Sequence, residues 1–147
     1  MSRFTDATSR RRLLGALCAA GVSSLAGCTA LVTGGSGGDF DVGMTAAAFN
    51  PPQITVQVGE EVVWHNTSAR GHTVTAYENA IPEEADYFAS GGFESESAAR
   101  KAWRERLGGK IDSGESFRHT FEVPGRYDYV CLPHEPGGMV GAVIVEE

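Results

Sequence analysis

The segment Cys131-Leu132-Pro133-His134-Glu135-Pro136-Gly137-Gly138-Met139 gathers a thiol, an imidazole and a thioether into one short stretch. Two residues separate Cys131 from His134 and four separate His134 from Met139, so a single loop can curl all three groups round one ion. Sulfur ligands suit Cu(I) and imidazole suits both oxidation states, so the set predicts one copper ion in a compromise geometry with Met139 as a weak axial ligand. Little then has to move when one electron is gained or lost. Zinc could occupy such a site, but the thioether favours copper. The loop supplies one histidine, and a second must come from His65, His72 or His119. We select His72, because it follows Gly71 at the start of a predicted strand, where a loop from elsewhere can meet it. His65 lies inside a strand behind Trp64 and His119 alternates with Phe117 and Phe121, so both read as structural histidines.

A different chemistry for Cys131 is nucleophilic catalysis with a histidine as base. The sequence offers no candidate oxyanion donors near it, and the residue alternates with Tyr127 and Tyr129 on what should be an inward face. No catalytic residue is assigned.

These groups need a scaffold, and the pattern around them is that of a β protein. Ile54, Val56 and Val58 alternate with polar residues, and Gly59-Glu60 then turns the chain into a second strand, Glu61 to Asn66. A third strand is predicted from His72 to Tyr77, where Thr73 and Thr75 favour extended backbone. Phe117, His119, Phe121 and Val123 alternate, Pro124-Gly125 turns, and Tyr127, Tyr129 and Cys131 share one face of the strand that follows. Val140 to Val145 makes a last strand. A small antiparallel sandwich or barrel is the expected architecture. Between residues 78 and 110 the period changes: Ser95 can cap a helix from Glu96 to Leu107 that Gly108-Gly109 ends. Ala99, Trp103 and Leu107 form its apolar stripe, with Trp103 as a packing anchor, and Arg100, Lys101, Arg104 and Arg106 read as a solvated face.

The N-terminal segment reads as an address. Arg10, Arg11 and Arg12 stand directly before an apolar stretch from Leu13 to Ala26, which is too short to span a bilayer and has the layout of an export signal. The arginine pair resembles a twin-arginine signal, which carries folded cargo. Leu25-Ala26-Gly27-Cys28 resembles a lipobox, so Cys28 is the expected lipidated residue of a chain held at the outer face of a membrane. Residues 1–27 are thus assigned to the signal, 28–39, with Thr33-Gly34-Gly35-Ser36-Gly37-Gly38, to a flexible tether, and 40–147 to one domain. From Cys28 onward there are 8 basic and 18 acidic residues, a net charge of −10. That charge excludes nucleic acid as a partner and suits a salt-rich medium, where screening relaxes self-repulsion.

The loop, together with Gly71-His72-Thr73-Val74, resembles the plastocyanins and more closely the halocyanins, blue copper proteins of the cupredoxin family. In plastocyanins the loop reads Cys-x-Pro-His, four residues, Met, Val and Gly, matched here by Cys131, Pro133, His134, Met139, Val140 and Gly141. The resemblance runs from about Ile54 to Val145. It implies a Greek-key cupredoxin sandwich with a short helical insertion, and a type 1 copper held by His72, Cys131, His134 and Met139. It further implies a monomer that carries single electrons between redox proteins of a membrane electron-transport chain, with no enzymatic turnover because four protein ligands leave no open position. A copper store or delivery protein using the same ligands is the alternative. Two positions depart from the plastocyanin pattern. Thr73 stands where an asparagine helps to brace the loop, and Val130 where an exposed tyrosine offers a remote electron path, which leaves His134 as the expected point of electron transfer.

Overall fold

The computed structural model describes residues 39–147, so Cys18, the signal, Cys28 and nearly all of the tether lie outside the described residues. Two four-stranded sheets carry the domain. One has the order β2 (Phe49–Asn50), β1 (Val42–Met44), β4 (Glu61–Asn66), β6 (Ser116–Thr120), and the other β3 (Gln53–Gln57), β8 (Val140–Glu146), β7 (Gly125–Val130), β5 (Thr75–Ala76). Only the connections β1–β2 and β7–β8 stay within a sheet, and every other connection crosses to the opposite one, as in a Greek-key sandwich. The sheets are not purely antiparallel as expected. Because the crossings return strands in the same sense, β1 runs parallel to β4 and β3 parallel to β8.

The inner faces meet on Trp64, which is fully buried and packs against Phe88, Phe117, Phe121 and Tyr129 with ring centroids 5.5 to 6.3 Å apart. Large aromatic side chains supply most of the apolar area in a core this small, and their edge-to-face contacts add directionality. Tyr127, Tyr129 and Cys131 are all buried, so the alternation along β7 carries the cysteine inward with the two tyrosines.

The strand predicted over His72 to Tyr77 shrinks to Thr75–Ala76. Backbone bonding explains the loss, because the preceding residues spend their hydrogen bonds elsewhere. His72 pairs with Ile111 through N–H···O distances of 3.1 and 2.8 Å, and the Val74 amide donates to Ser90 Oγ at 3.0 Å while its carbonyl accepts from Ser90 N–H at 2.7 Å. Residues 72 and 74 are therefore stitched to Ile111 and Ser90, and only Thr75 and Ala76 are left to pair with β7.

Helix α1 spans Glu96–Arg106, and Ser95 caps it by accepting the Ala98 amide at 3.1 Å. Its C-cap is Leu107 in the left-handed region at φ 55°, one residue before the expected glycines. Ala99 and Ala102 form the buried stripe, whereas Trp103 is half-buried and Leu107 exposed, so the small residues and not the indole seat the helix. Arg100 departs from the expected solvated face and turns toward the β7–β8 loop.

Candidate metal centre

The β7–β8 hairpin ends its ladder at the pair Val130↔Val140, which leaves residues 131–139 as the connecting loop. Cys131 and Met139 flank its neck, and the Cys131 amide donates to the Met139 carbonyl at 3.0 Å. Inside the loop a 3₁₀ turn over Leu132–Gly137 starts with Pro133 near its N-terminus and ends on Gly138 at φ 82°, a conformation that glycine adopts without a Cβ clash. The Met139 amide reaches the His134 carbonyl at 3.2 Å and the His134 amide reaches the Cys131 carbonyl at 3.1 Å. The loop is thus a closed hydrogen-bonded ring that fixes Cys131, His134 and Met139 together. Gly141 just beyond it lies under Tyr129, its cross-strand partner, and a Cβ there would come within 2.5 Å of the tyrosine ring.

His72 arrives on the β4–β5 connection, just before β5, the strand that pairs with β7. Its Nδ1 lies 3.5 Å from Cys131 Sγ, the His134 Nδ1 lies 3.3 Å from the same sulfur, and the three candidate ligand atoms lie within 4.8 Å of one another. His72, Cys131 and Met139 are buried, while His134 is half-exposed at the rim. His65 and His119 lie elsewhere. His65 bonds Ser116 Oγ at 2.7 Å and stacks on Phe40, and His119 lies with ring centroids 4.8 Å from those of Phe88 and of Phe121. Gly71 does not occupy the left-handed region that would have explained its place before His72; its missing Cβ instead makes room for the Lys110 side chain.

Hydrogen bonding assigns the His72 tautomer. Asn66 Nδ2 donates to the carbonyls of Arg70 and Ile111 at 2.6 and 3.0 Å, so its Oδ1 is the acceptor for both the amide and the hydroxyl of Ser68, each at 2.9 Å. With its only proton given to Asn66, Ser68 Oγ accepts from His72 Nε2 at 2.9 Å. The imidazole proton therefore sits on Nε2, and the Nδ1 lone pair faces Cys131, the orientation a metal ligand requires. Burial, together with the nearby His134 and Arg70, pushes His72 down to about 4, and burial and Arg70 lower His134 as well. Both imidazoles are neutral at pH 7. Burial raises the Cys131 thiol, against which the Thr73 amide, 3.5 Å from the sulfur, the His134 amide and the Thr73 hydroxyl favour the thiolate. Metal binding here displaces one proton, from Cys131.

Thr73, the departure from the plastocyanin pattern, turns out to brace the loop itself. Its Oγ1 accepts the Leu132 amide at 2.9 Å, tying the residue after Cys131 to the residue after His72. Sequence reasoning left this bracing open and missed Asn66 and Ser68 altogether. Asn66-Thr67-Ser68 does carry the composition of an Asx turn, a signal for local structure but not for a histidine 4 residues on.

A buried thiol and two neutral imidazoles converging on one point, with a thioether at the neck of the same loop, define a mononuclear soft-metal site on a β-sandwich, and the donor set fits one copper ion. Residues 38–146 match the family of copper binding proteins described as plastocyanin/azurin, and the chain belongs to that family. It is 31% identical to the plastocyanin minor isoform of Arabidopsis thaliana, over 99% of this chain and 82% of that protein, and 31% identical to the plastocyanin of Hordeum vulgare, over 98% and 85%. It is also 30% identical to the plastocyanin of Tetradesmus obliquus, where it spans 60% of the relative's length. Among solved structures, an oxidised amicyanin variant superposes with a TM-score of 0.51 at 26% identity, covering 71% of this chain and 79% of that one.

Proposed function

We propose that this protein is a type 1 copper electron carrier whose ligands are His72, Cys131, His134 and Met139. The observation that carries the reading is the convergence of two imidazole Nδ1 atoms on the Cys131 sulfur, with the Nδ1 lone pair of His72 already turned toward it by the bond to Ser68. When bound, copper supplies a one-electron couple between Cu(I) and Cu(II). The chain's part is to keep three of the groups buried, to hold the loop closed through its own backbone bonds and Thr73, and to leave the His134 edge near solvent for contact with a redox partner. Ligands fixed in this way reorganise little between oxidation states. Copper-loaded protein should show an intense visible band at about 600 nm that bleaches on reduction and is lost in Cys131→Ser. A copper(II) form without that band, or one that keeps it in Cys131→Ser, would refute the assignment.

The likeness to halocyanin, the acidic surface and the Cys28 motif support a finer placement. The carrier is exported and anchored to the outer face of the membrane through lipidated Cys28, where it serves a membrane electron-transport chain. Fractionation of cells tests this: the chain should sediment with membranes and Cys28→Ser should release it. The burial of His72, Cys131 and Met139 supports retention of the metal, not delivery. Rapid loss of copper to a competing chelator would favour the delivery reading instead.

A further inference from the structure

The role of the insertion between β5 and β6 is written in Arg100 and Glu135. The Arg100 guanidinium grips the Glu135 carboxylate with both terminal nitrogens, Nη1 to Oε2 at 2.7 Å and Nη2 to Oε1 at 2.9 Å, while its Nε bonds Glu96 one helical turn earlier at 2.8 Å. The Tyr77 hydroxyl donates to Glu135 Oε1 at 3.1 Å, and the guanidinium carbon lies 6.0 Å from the Tyr77 ring centroid. The helix is itself moored beside β5, because Glu78 and Glu96 each accept the other's backbone amide, at 2.9 and 3.2 Å. Glu135 follows His134 directly, and its carboxylate is held by donors from Tyr77 and the insertion and by none from its own loop. The Arg100 and Glu135 side chains are 28% and 34% exposed, partly sheltered from solvent screening. A two-pronged guanidinium–carboxylate pair fixes both distance and plane, which a single ammonium cannot do.

We infer that Arg100 is a positioning residue: the insertion acts as an external clamp that holds the metal-binding loop, and His134 with it, in one conformation through Glu135. The clamp lies outside the ligand ring and so keeps the loop ordered before metal arrives, which lowers the entropy lost on binding. It also resists movement of His134 when the charge at the site changes. The inference rests on the loop being the copper site, but its test is read in metal-free protein as well.

Amide hydrogen exchange measured by NMR on the full chain, metal-free and loaded with diamagnetic Cu(I), tests the clamp. Arg100→Leu should speed exchange at the Cys131 and Met139 amides about five- to tenfold, the scale of one charge-assisted pair at a partly exposed site. Glu135→Leu should do the same, the double variant should exchange no faster than either single one, and Arg100→Lys should recover only part of the protection. Amides of β4 should be unchanged, which shows that the sandwich is intact. Unchanged loop amides, a uniform rise across all strands, or single effects that add in the double variant would each overturn the clamp. Failure of the wild-type protein to bind copper would overturn the metal assignment while leaving the metal-free exchange result to judge the clamp separately.

Discussion

Replacing Thr73 by valine removes one hydroxyl and almost no volume, so its effect reads the bonds of that hydroxyl, chief among them the one to the Leu132 amide. Thr73 is 1% exposed and Leu132 9%, so water has poor access to the Leu132 amide once its acceptor at 2.9 Å is gone. A buried donor left unpaired costs about 1–3 kcal/mol, and we take about 2 kcal/mol because the geometry is good and the site nearly dry. In a domain of this size that lowers Tm by roughly 8 °C. Urea unfolding of metal-free Thr73→Val, followed by tryptophan fluorescence, should show a lower midpoint with an unchanged slope, because the surface exposed on unfolding is the same. Thr73→Ser keeps the hydroxyl and loses a buried methyl, so it should lose about 1 kcal/mol at most. Copper should also bind Thr73→Val more weakly, because the lost hydroxyl favoured the thiolate of Cys131. Wild-type stability in the valine variant, or a serine variant as unstable as the valine one, would refute the bracing role.

Ser68→Ala removes one of the two acceptors of His72, the other being the Thr45 backbone, and should weaken copper binding about 10-fold in chelator competition, as loss of a ligand's hydrogen-bond partner commonly does. Gly141→Ala places a methyl against the rigid Tyr129 ring and should cost about 1–3 kcal/mol by urea unfolding; a neutral result would show that the tyrosine can move aside. Metal-free stability should fall on acidification. Folded His72 refuses a proton that the unfolded chain binds below pH 6.5, so its contribution is lost as pH drops from 6.5 toward about 4, roughly 2 kcal/mol of it by pH 5. Thermal unfolding of wild type against His72→Gln at pH 7 and 5 should show the smaller loss in the variant, and equal slopes would contradict the assignment.

The candidate ligands between Cys131 and Met139 were legible in the sequence because they are local: donor type and spacing within one hairpin connection decide what can converge. The strands β4, β7 and β8 were legible for a similar reason, since alternation and turn residues act over a few positions. The helix was placed within one residue by its Ser95 cap, but its seating on Ala99 and Ala102 depended on how closely the backbone approaches the sandwich, which no pattern records. His72 was selected among three histidines by position, and its approach to Cys131 across 59 residues is set by pairing between the His72 segment and Ile111. The parallel pairs β1–β4 and β3–β8, the Ser68 and Thr73 bonds and the Arg100 grip on Glu135 all belong to tertiary structure alone. Each joins segments whose separation in sequence carries no period or motif, and a single hydrogen bond between distant residues leaves composition and alternation unchanged. By itself, the sequence determined which atoms could hold the metal; the tertiary structure decided how their protons, orientations and mobility are controlled.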